Sequence, residues 1–354
     1  MGTWIDEHDI PALVHGARYL GCGGGGDSRL MQLLTIQALR THGPVSLLSS
    51  FECEDEEWVA PVALIGSNLI FNEKLLGGHE LTAAIRGLER EKGIFIRAVM
   101  GLEVGGVNVL TPVLTAALTG LPLIDCDGMG RAFDKICKTT FHAFGVPLAP
   151  LLLVNGQGEG HILRHPSNLE LERQASQRVV EMGGWAAVAC YPMQGKQIKE
   201  VAIHQSFSLA KLIGEQVLAV GEDISAIEAV LSDVFGNSIY GKPRKLIEGK
   251  VTELQRHFNG ESTTGTMIVE GTGLYTGEQL EVAFHHEYLA VKQDNQILTS
   301  IPDLICVWNV DTGQPILVEE LEQNRKIWVL TIPSPSLLKN PKVLDVVVPE
   351  GLRK

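Results

Sequence analysis

No Cys-x-x-Cys pair occurs in this chain, although it carries six cysteines, at positions 22, 53, 126, 137, 190 and 306. That spacing excludes a zinc knuckle and argues against a disulfide framework, so most of these thiols read as small buried hydrophobes. Cys22 and Cys126 differ in lying within polar, glycine-rich surroundings, where a nucleophilic thiol is the alternative to an inert one. Clusters of lysine and arginine are missing too: 29 basic residues face 42 acidic ones, a formal net charge of -13. Phosphates along a nucleic acid would find no track of cations, which excludes that class of partner. No apolar run approaches the roughly 18 residues of a spanning helix. The start, Met1-Gly-Thr-Trp-Ile-Asp-Glu-His, also lacks a signal peptide's basic opening. The expectation is a soluble, cytoplasmic protein with no membrane partner. Gly-Lys-Ser/Thr is absent, which excludes a Walker phosphate loop.

What the chain does have is length and glycine. Its 354 residues, 45% apolar and 20% charged, suffice for two domains with cores of their own. Gly21-Cys-Gly-Gly-Gly-Gly-Asp27-Ser28 places five glycines in six positions. Such a run marks backbone that turns sharply or admits a close approach. Asp9 to Leu20 before it and Ser28 to Arg40 after it both read as amphipathic helices, the second capped by Asp27 or Ser28. A glycine loop opening a helix is an anion cradle, the alternative being a tight helix-to-helix turn. The formal match to a dinucleotide fingerprint lacks its preceding strand, which leaves nucleotide binding a minor reading.

From residue 44 strands alternate with helices. Residues 44–48, 58–65, 94–102 and 121–124 read as strands, and 80–90 and 110–118 as helices. The expected fold is an α/β N-terminal domain, 1–165, with a largely parallel sheet and the glycine-rich loop. A mixed α+β, β-rich C-terminal domain, 166–354, follows: helices over 167–182, 207–220 and 224–235, then short strands from 245 onward. Ligands of such sheets bind beyond the carboxyl ends of the strands. Three polar endings fall there: Gly66-Ser67-Asn68, Glu103 to Asn108, and Asp125 to Arg131.

Asp125 and Asp127, two apart, share a face if the strand runs through them. Two carboxylates in one site push one pKa upward, giving a general base or acid, or they ligate a hard cation. The alternative is a pair of helix caps. Arg131, one helical turn on, can hold a substrate carboxylate bidentately. Glu103 with Asn108 repeats the pattern of an acid beside exposed backbone. His285 and Glu287 share a strand face and are further candidate ligands for a divalent metal ion. His142, His161, His165 and His204 read as structural or surface residues.

Five motifs in order resemble the S-methyl-thiohydantoin desulfurase-like proteins: Gly21-Cys-Gly-Gly-Gly-Gly-Asp27, Glu103-Val-Gly-Gly-x-Asn108, Asp125-x-Asp-Gly-Met-Gly-Arg-Ala132, Tyr191-Pro-Met-x-Gly195 and Ile301-Pro-Asp-Leu-Ile305. Members of that family are often encoded beside, or fused to, hydantoinase and oxoprolinase subunits. The resemblance implies hydrolytic removal of sulfur from a five-membered thiohydantoin ring. On that reading Asp125 or Asp127 is the general base or a metal ligand, with Glu103 and Asn108 orienting the ring. Gly23, Gly24, Gly25, Gly26 and Asp27 receive negative charge, and Arg131 clamps a carboxylate. Position 22 is commonly threonine in the family, which speaks against Cys22 as a required nucleophile, and His285-His286 replaces a more usual Gln-Asn. The expected partners are a small cyclic amide or thioamide, further copies of the chain, and hydantoinase or oxoprolinase subunits. The alternative to an enzyme is a non-catalytic or regulatory subunit of such a complex, with nucleotide as a candidate ligand.

Overall fold

A computed structural model describes residues 3–73, 76–258 and 263–352. The first sheet takes strands from β1 (Thr3–Ile5), β2 (Val45–Leu48), β3 (Trp58–Gly66), β4 (Ile96–Gly101) and β5 (Leu123–Ile124). After β6 (Cys126–Asp127), which stands outside it, the sheet adds β7 (Leu151–Val154), β8 (Gly160–Leu163) and β9 (Trp185–Ala189). Its order is β1-β2-β5-β4-β3-β9-β7-β8, with β10 (Met193–Gln194) pairing the start of β3. Only β2, β5, β4 and β3 run parallel; β1, β9, β7 and β8 pair antiparallel. The sheet is thus mixed where the sequence suggested a largely parallel one. The reason is local: the turn 155–159 joins β7 to β8 as a hairpin, and a connection that short permits only antiparallel pairing. β8 follows that turn directly.

The sheet also crosses position 165, since β9 and β10 follow it and pair with β3. Helices Ile10–Leu20, Arg29–His42, His79–Lys92 and Thr111–Thr119 lie where hydrophobic periodicity put them. The apolar strands and helices bury two cores, and a third fills the second sheet. That sheet is an antiparallel half-barrel in which Arg244–Phe258, Thr263–Gly271, Gln279–Phe284, Tyr288–Gln293 and Gln296–Ser300 meander in sequence. Lys326–Ile332 pairs the other side of Arg244–Phe258, and Leu304–Asn309 pairs Lys326–Ile332.

One helix crossing sets the site. Helix Ser206–Val220 packs against Ile10–Leu20 so closely that a Cβ on Gly16 would stand 1.7 Å from the Ala210 carbonyl oxygen. A Cβ on Gly214 would stand 1.7 Å from that of Ala12. Backbone meets backbone there and cannot yield as a side chain would. Gly16→Ala forces the helices apart and costs about 3 kcal/mol, read as a lower midpoint in urea unfolding; an unchanged midpoint would contradict the contact.

Candidate functional site

The parallel strands deliver their carboxyl ends to one edge, and two groups of polar residues gather along it. The first lies past β2 and β5. Residues 49–52 form a turn closed by the Glu52 amide donating to the Ser49 carbonyl at 2.9 Å. Ser50, in that turn and 1% exposed, has its Oγ 2.8 Å from His204 Nδ1. His204 comes from β11 (Ile203–His204), which pairs antiparallel with β6, setting His204 opposite Cys126. Burial lowers the pKa of the imidazole, partly offset by a hydrogen bond to the Lys199 backbone and by Asp125 nearby. The exposed Phe51 ring sits 4.9 Å from the imidazole.

Asp125 completes this group. Its Oδ1 accepts from the amides of Phe207 at 2.8 Å and Ser208 at 3.1 Å, so it caps helix Ser206–Val220 from a distant part of the chain. Such a cap is needed because Gln205, the residue before the helix, adopts φ +62° and contributes no side-chain cap. Burial raises the Asp125 pKa above the usual carboxylate value, against the pull of its Ser208 and Phe207 hydrogen bonds. Asp125, Ser50, His204, Ser49, Phe51 and Ser208 all line one cavity of about 370 Å³.

Asp127 shares the helix terminus but not the cavity wall. It is fully buried; Oδ2 accepts from the amides of Met129 at 2.9 Å and Gly130 at 2.7 Å, and Oδ1 from the Ser206 hydroxyl. Burial pushes its pKa up to about 6. The two aspartates expected to work as one acid–base pair therefore have separate surroundings. Both hold the start of one helix, and only Asp125 faces open space.

The second group lies where the two sheets meet. Here the glycine loop is a seam. Gly23, at φ +82°, would place a Cβ 2.4 Å from the Tyr288 ring, and Gly25, at φ +90°, one 2.6 Å from the Gly106 amide nitrogen. The carbonyls of Cys22, Gly23 and Gly25 accept from the amides of Tyr288, Val318 and Val107. Gly24 packs between Ala132 and the Glu287 Cβ. The loop therefore faces protein on both sides, while Gly26 turns the chain at φ +70° and exposed Asp27 accepts from the Arg29 amide. This packing corrects the expectation of an open anion cradle.

Arg131, expected to clamp a carboxylate, is fully buried and donates to three backbone carbonyls: Ala132 at 3.2 Å, Asp303 at 2.8 Å and Tyr288 at 3.1 Å. It ties the N-terminal sheet's loop to the half-barrel. Glu103 accepts from Asn108 Nδ2 at 2.6 Å and from the Phe133 amide at 3.3 Å. Asn108 also exchanges two hydrogen bonds with the Leu64 backbone, so it mends the edge of β3 and is not free to orient a ring. Glu287 Oε1 is buried without a hydrogen-bond partner among the described residues. Burial, reinforced by other carboxylates, pushes the pKa of Glu103 and of Glu287 up to about 8.

His285 Nδ1 stands 3.3 Å from Asp134, which also pairs with Lys138. The four candidate metal ligands thus divide, Asp125 and Asp127 at the helix terminus and His285 and Glu287 at the seam. Among the described residues no three His, Cys, Asp or Glu side chains converge as a metal site. Cys22 and Cys126 are buried, and burial drives the Cys126 thiol well above its ordinary pKa, so neither presents a nucleophile to solvent.

Sequence reasoning passed over Ser50 and read His204 as structural. Neither belongs to a motif, and they stand 154 positions apart, joined only by the fold. The available signal was the polar Ser49-Ser50 ending of an apolar strand, the same feature that singled out Asp125.

Models of two protein-family domains match the chain, the S-Me-THD-like N-terminal domain over residues 8–165 and the S-Me-THD-like C-terminal domain over 166–352. Among solved structures it is similar to a protein from Chromobacterium violaceum, a structural genomics target. The identity is 20%, with 97% of this chain and 95% of that one covered and a TM-score of 0.78. That likeness concerns the fold. No curated protein matches. Among the described residues no helix is long and apolar enough to cross a membrane.

Proposed function

The chain belongs to the S-Me-THD-like family, and on that premise we propose that it is a hydrolase of a five-membered cyclic amide or thioamide, a thiohydantoin-like ring. The ring binds in the cavity beyond β2 and β5. The observation that carries this reading is Asp125 itself: a carboxyl group fixed through one oxygen by two amides, raised in pKa, and lining a cavity with a hydroxyl and an imidazole. The position agrees with the rule for open α/β sheets, whose ligands lie outside the carboxyl ends of parallel strands. Perturbed acids in a cleft mark functional sites for a physical reason, since catalysis needs a proton donor or acceptor poised near the working pH.

A thiohydantoin-like ring presents ring N–H beside a carbonyl or thiocarbonyl. The carboxylate of Asp125 accepts the ring N–H and fixes the orientation of the carbon under attack. The nearby imidazole, kept neutral by burial, is ready to accept a proton. Asp125→Asn retains one oxygen for the helix amides but turns an amide donor toward the ring. Its expected effect is a loss of about 100-fold in kcat/KM for thiol release from an S-methyl-thiohydantoin, with the melting temperature little changed. Turnover within about threefold of the parent would remove Asp125 from the site.

A further inference from the structure

We propose that Ser50 is the nucleophile of this site and His204 its general base, so that the reaction proceeds through a covalent Ser50-bound intermediate. The inference rests on the hydrolase reading above and adds the group that attacks.

The Ser50 hydroxyl oxygen stands 2.8 Å from His204 Nδ1, while the Lys199 backbone and Asp125 favour the protonated ring against the burial that lowers its pKa. A neutral imidazole carries a single N–H, and with that hydrogen on Nε2 its Nδ1 is an acceptor. The Ser50 hydroxyl must then donate to Nδ1. A serine proton aimed at an oriented, neutral imidazole is the arrangement that turns a weak hydroxyl nucleophile into a competent one.

A serine–histidine hydrogen bond in a packed interior would be structural. Three observations set this one apart. Both residues line the same cavity of about 370 Å³. Ser50 lies in a turn immediately after a parallel strand, which brings its hydroxyl to the edge where ligands of such sheets bind. Asp125, in the same wall, favours the protonated ring, so the imidazolium formed when His204 takes the proton is stabilised where it forms.

The chemistry balances without a cofactor. Ser50 Oγ bonds to the ring carbon that bears the sulfur substituent, its proton passing to His204 Nδ1. The C–S bond breaks, and the departing sulfur takes that proton and leaves as a thiol. Water then attacks the Ser50-bound carbon and gives a proton to Nδ1. The C–Oγ bond breaks, and Oγ recovers the proton. One water is consumed and one thiol is released; nothing is oxidised or reduced.

The test is labelling of the intact protein with diisopropyl fluorophosphate, followed by mass spectrometry of the whole chain and its peptides. One adduct per chain is expected on Ser50, absent in Ser50→Ala and at least about tenfold slower to form in His204→Gln, with Ser176→Ala, on the exposed face of helix Asn168–Glu181, labelled as the parent. Circular dichroism melts of each variant confirm folding. No adduct on Ser50 of the folded parent, or labelling as fast in His204→Gln, overturns the proposal. Thiol release from an S-methyl-thiohydantoin separates this inference from the reading it rests on. Labelling at Ser50 without thiol release upholds the nucleophile and removes the substrate. Thiol release that Ser50→Ala lowers by less than about tenfold removes the nucleophile and keeps the substrate. Should Ser50→Ala fail to fold, Ser50→Cys replaces it. Iodoacetamide alkylation of the introduced thiol faster than of the buried native thiols then supports the proposal, and alkylation no faster opposes it.

Discussion

Replacing Arg131 by methionine lowers the stability of the protein by roughly 3–5 kcal/mol. Methionine fills much of the space of the arginine stem but donates nothing. The carbonyls of Ala132, Asp303 and Tyr288 would then stand buried without the donor they now share. Each abandoned acceptor carries its own desolvation cost, of order 1–3 kcal/mol. Relief from burying the guanidinium offsets part of that, which is why the expected total stays below the simple sum. Denaturant unfolding monitored by tryptophan fluorescence measures it, and a variant as stable as the parent would mean the three bonds contribute little. A second consequence distinguishes this account from general damage. Arg131 restrains the pKa of Glu287, so in the variant that group moves further above about 8.

The second large effect is a dependence of stability on pH. Glu103 and Glu287 each bind their proton with a pKa of about 8 in the folded chain, against an ordinary value of 4.5. Below pH 4.5 both folded and unfolded chains hold these protons, and the pair has no effect on stability. Between that point and about 8 the unfolded chain releases them while the folded chain keeps them, so stability falls as pH rises; beyond about 8 the penalty levels off. Burial is the main cause of both shifts, and together the two groups remove about a few kcal/mol across that window. Glu287→Gln, which keeps a neutral group of the same shape, should flatten part of the slope and melt higher than the parent at about pH 8. Parallel melting curves for parent and variant from about pH 5 to 8 would show that Glu287 titrates normally.

Much of this arrangement is legible in the sequence because it follows from local rules. Periodicity places the helices Ile10–Leu20 and Thr111–Thr119 and the strands β3 and β4. The carboxyl-end rule singles out Glu103 and Asp125, which do reach the polar edge. What fails is inference across turns. A spacing of two predicts a shared purpose for Asp125 and Asp127, but the amides of Met129 and Gly130 fold back onto Asp127 and absorb its carboxylate. The same reading puts Arg131 one helical turn beyond Asp127. Gly130 stands at φ +64°, where no helix continues, and the arginine is sent to the other sheet. Ser50 and His204 are invisible for another reason, since only the pairing of β11 with β6 brings them together.

The pairing of β3 with β9 bears on how this protein can be made and divided. β9 belongs to the stretch after residue 165, yet it covers one side of a central strand of the first sheet. A fragment ending at 165 would expose the unpaired amides and carbonyls of β3, and helix Ile10–Leu20 would lose its neighbour Ser206–Val220. An open edge of that kind recruits other chains, so such a fragment is expected to aggregate. The two family domains are therefore joined through a shared sheet, with β9 and helix Ser206–Val220 of the second stretch built into the packing of the first.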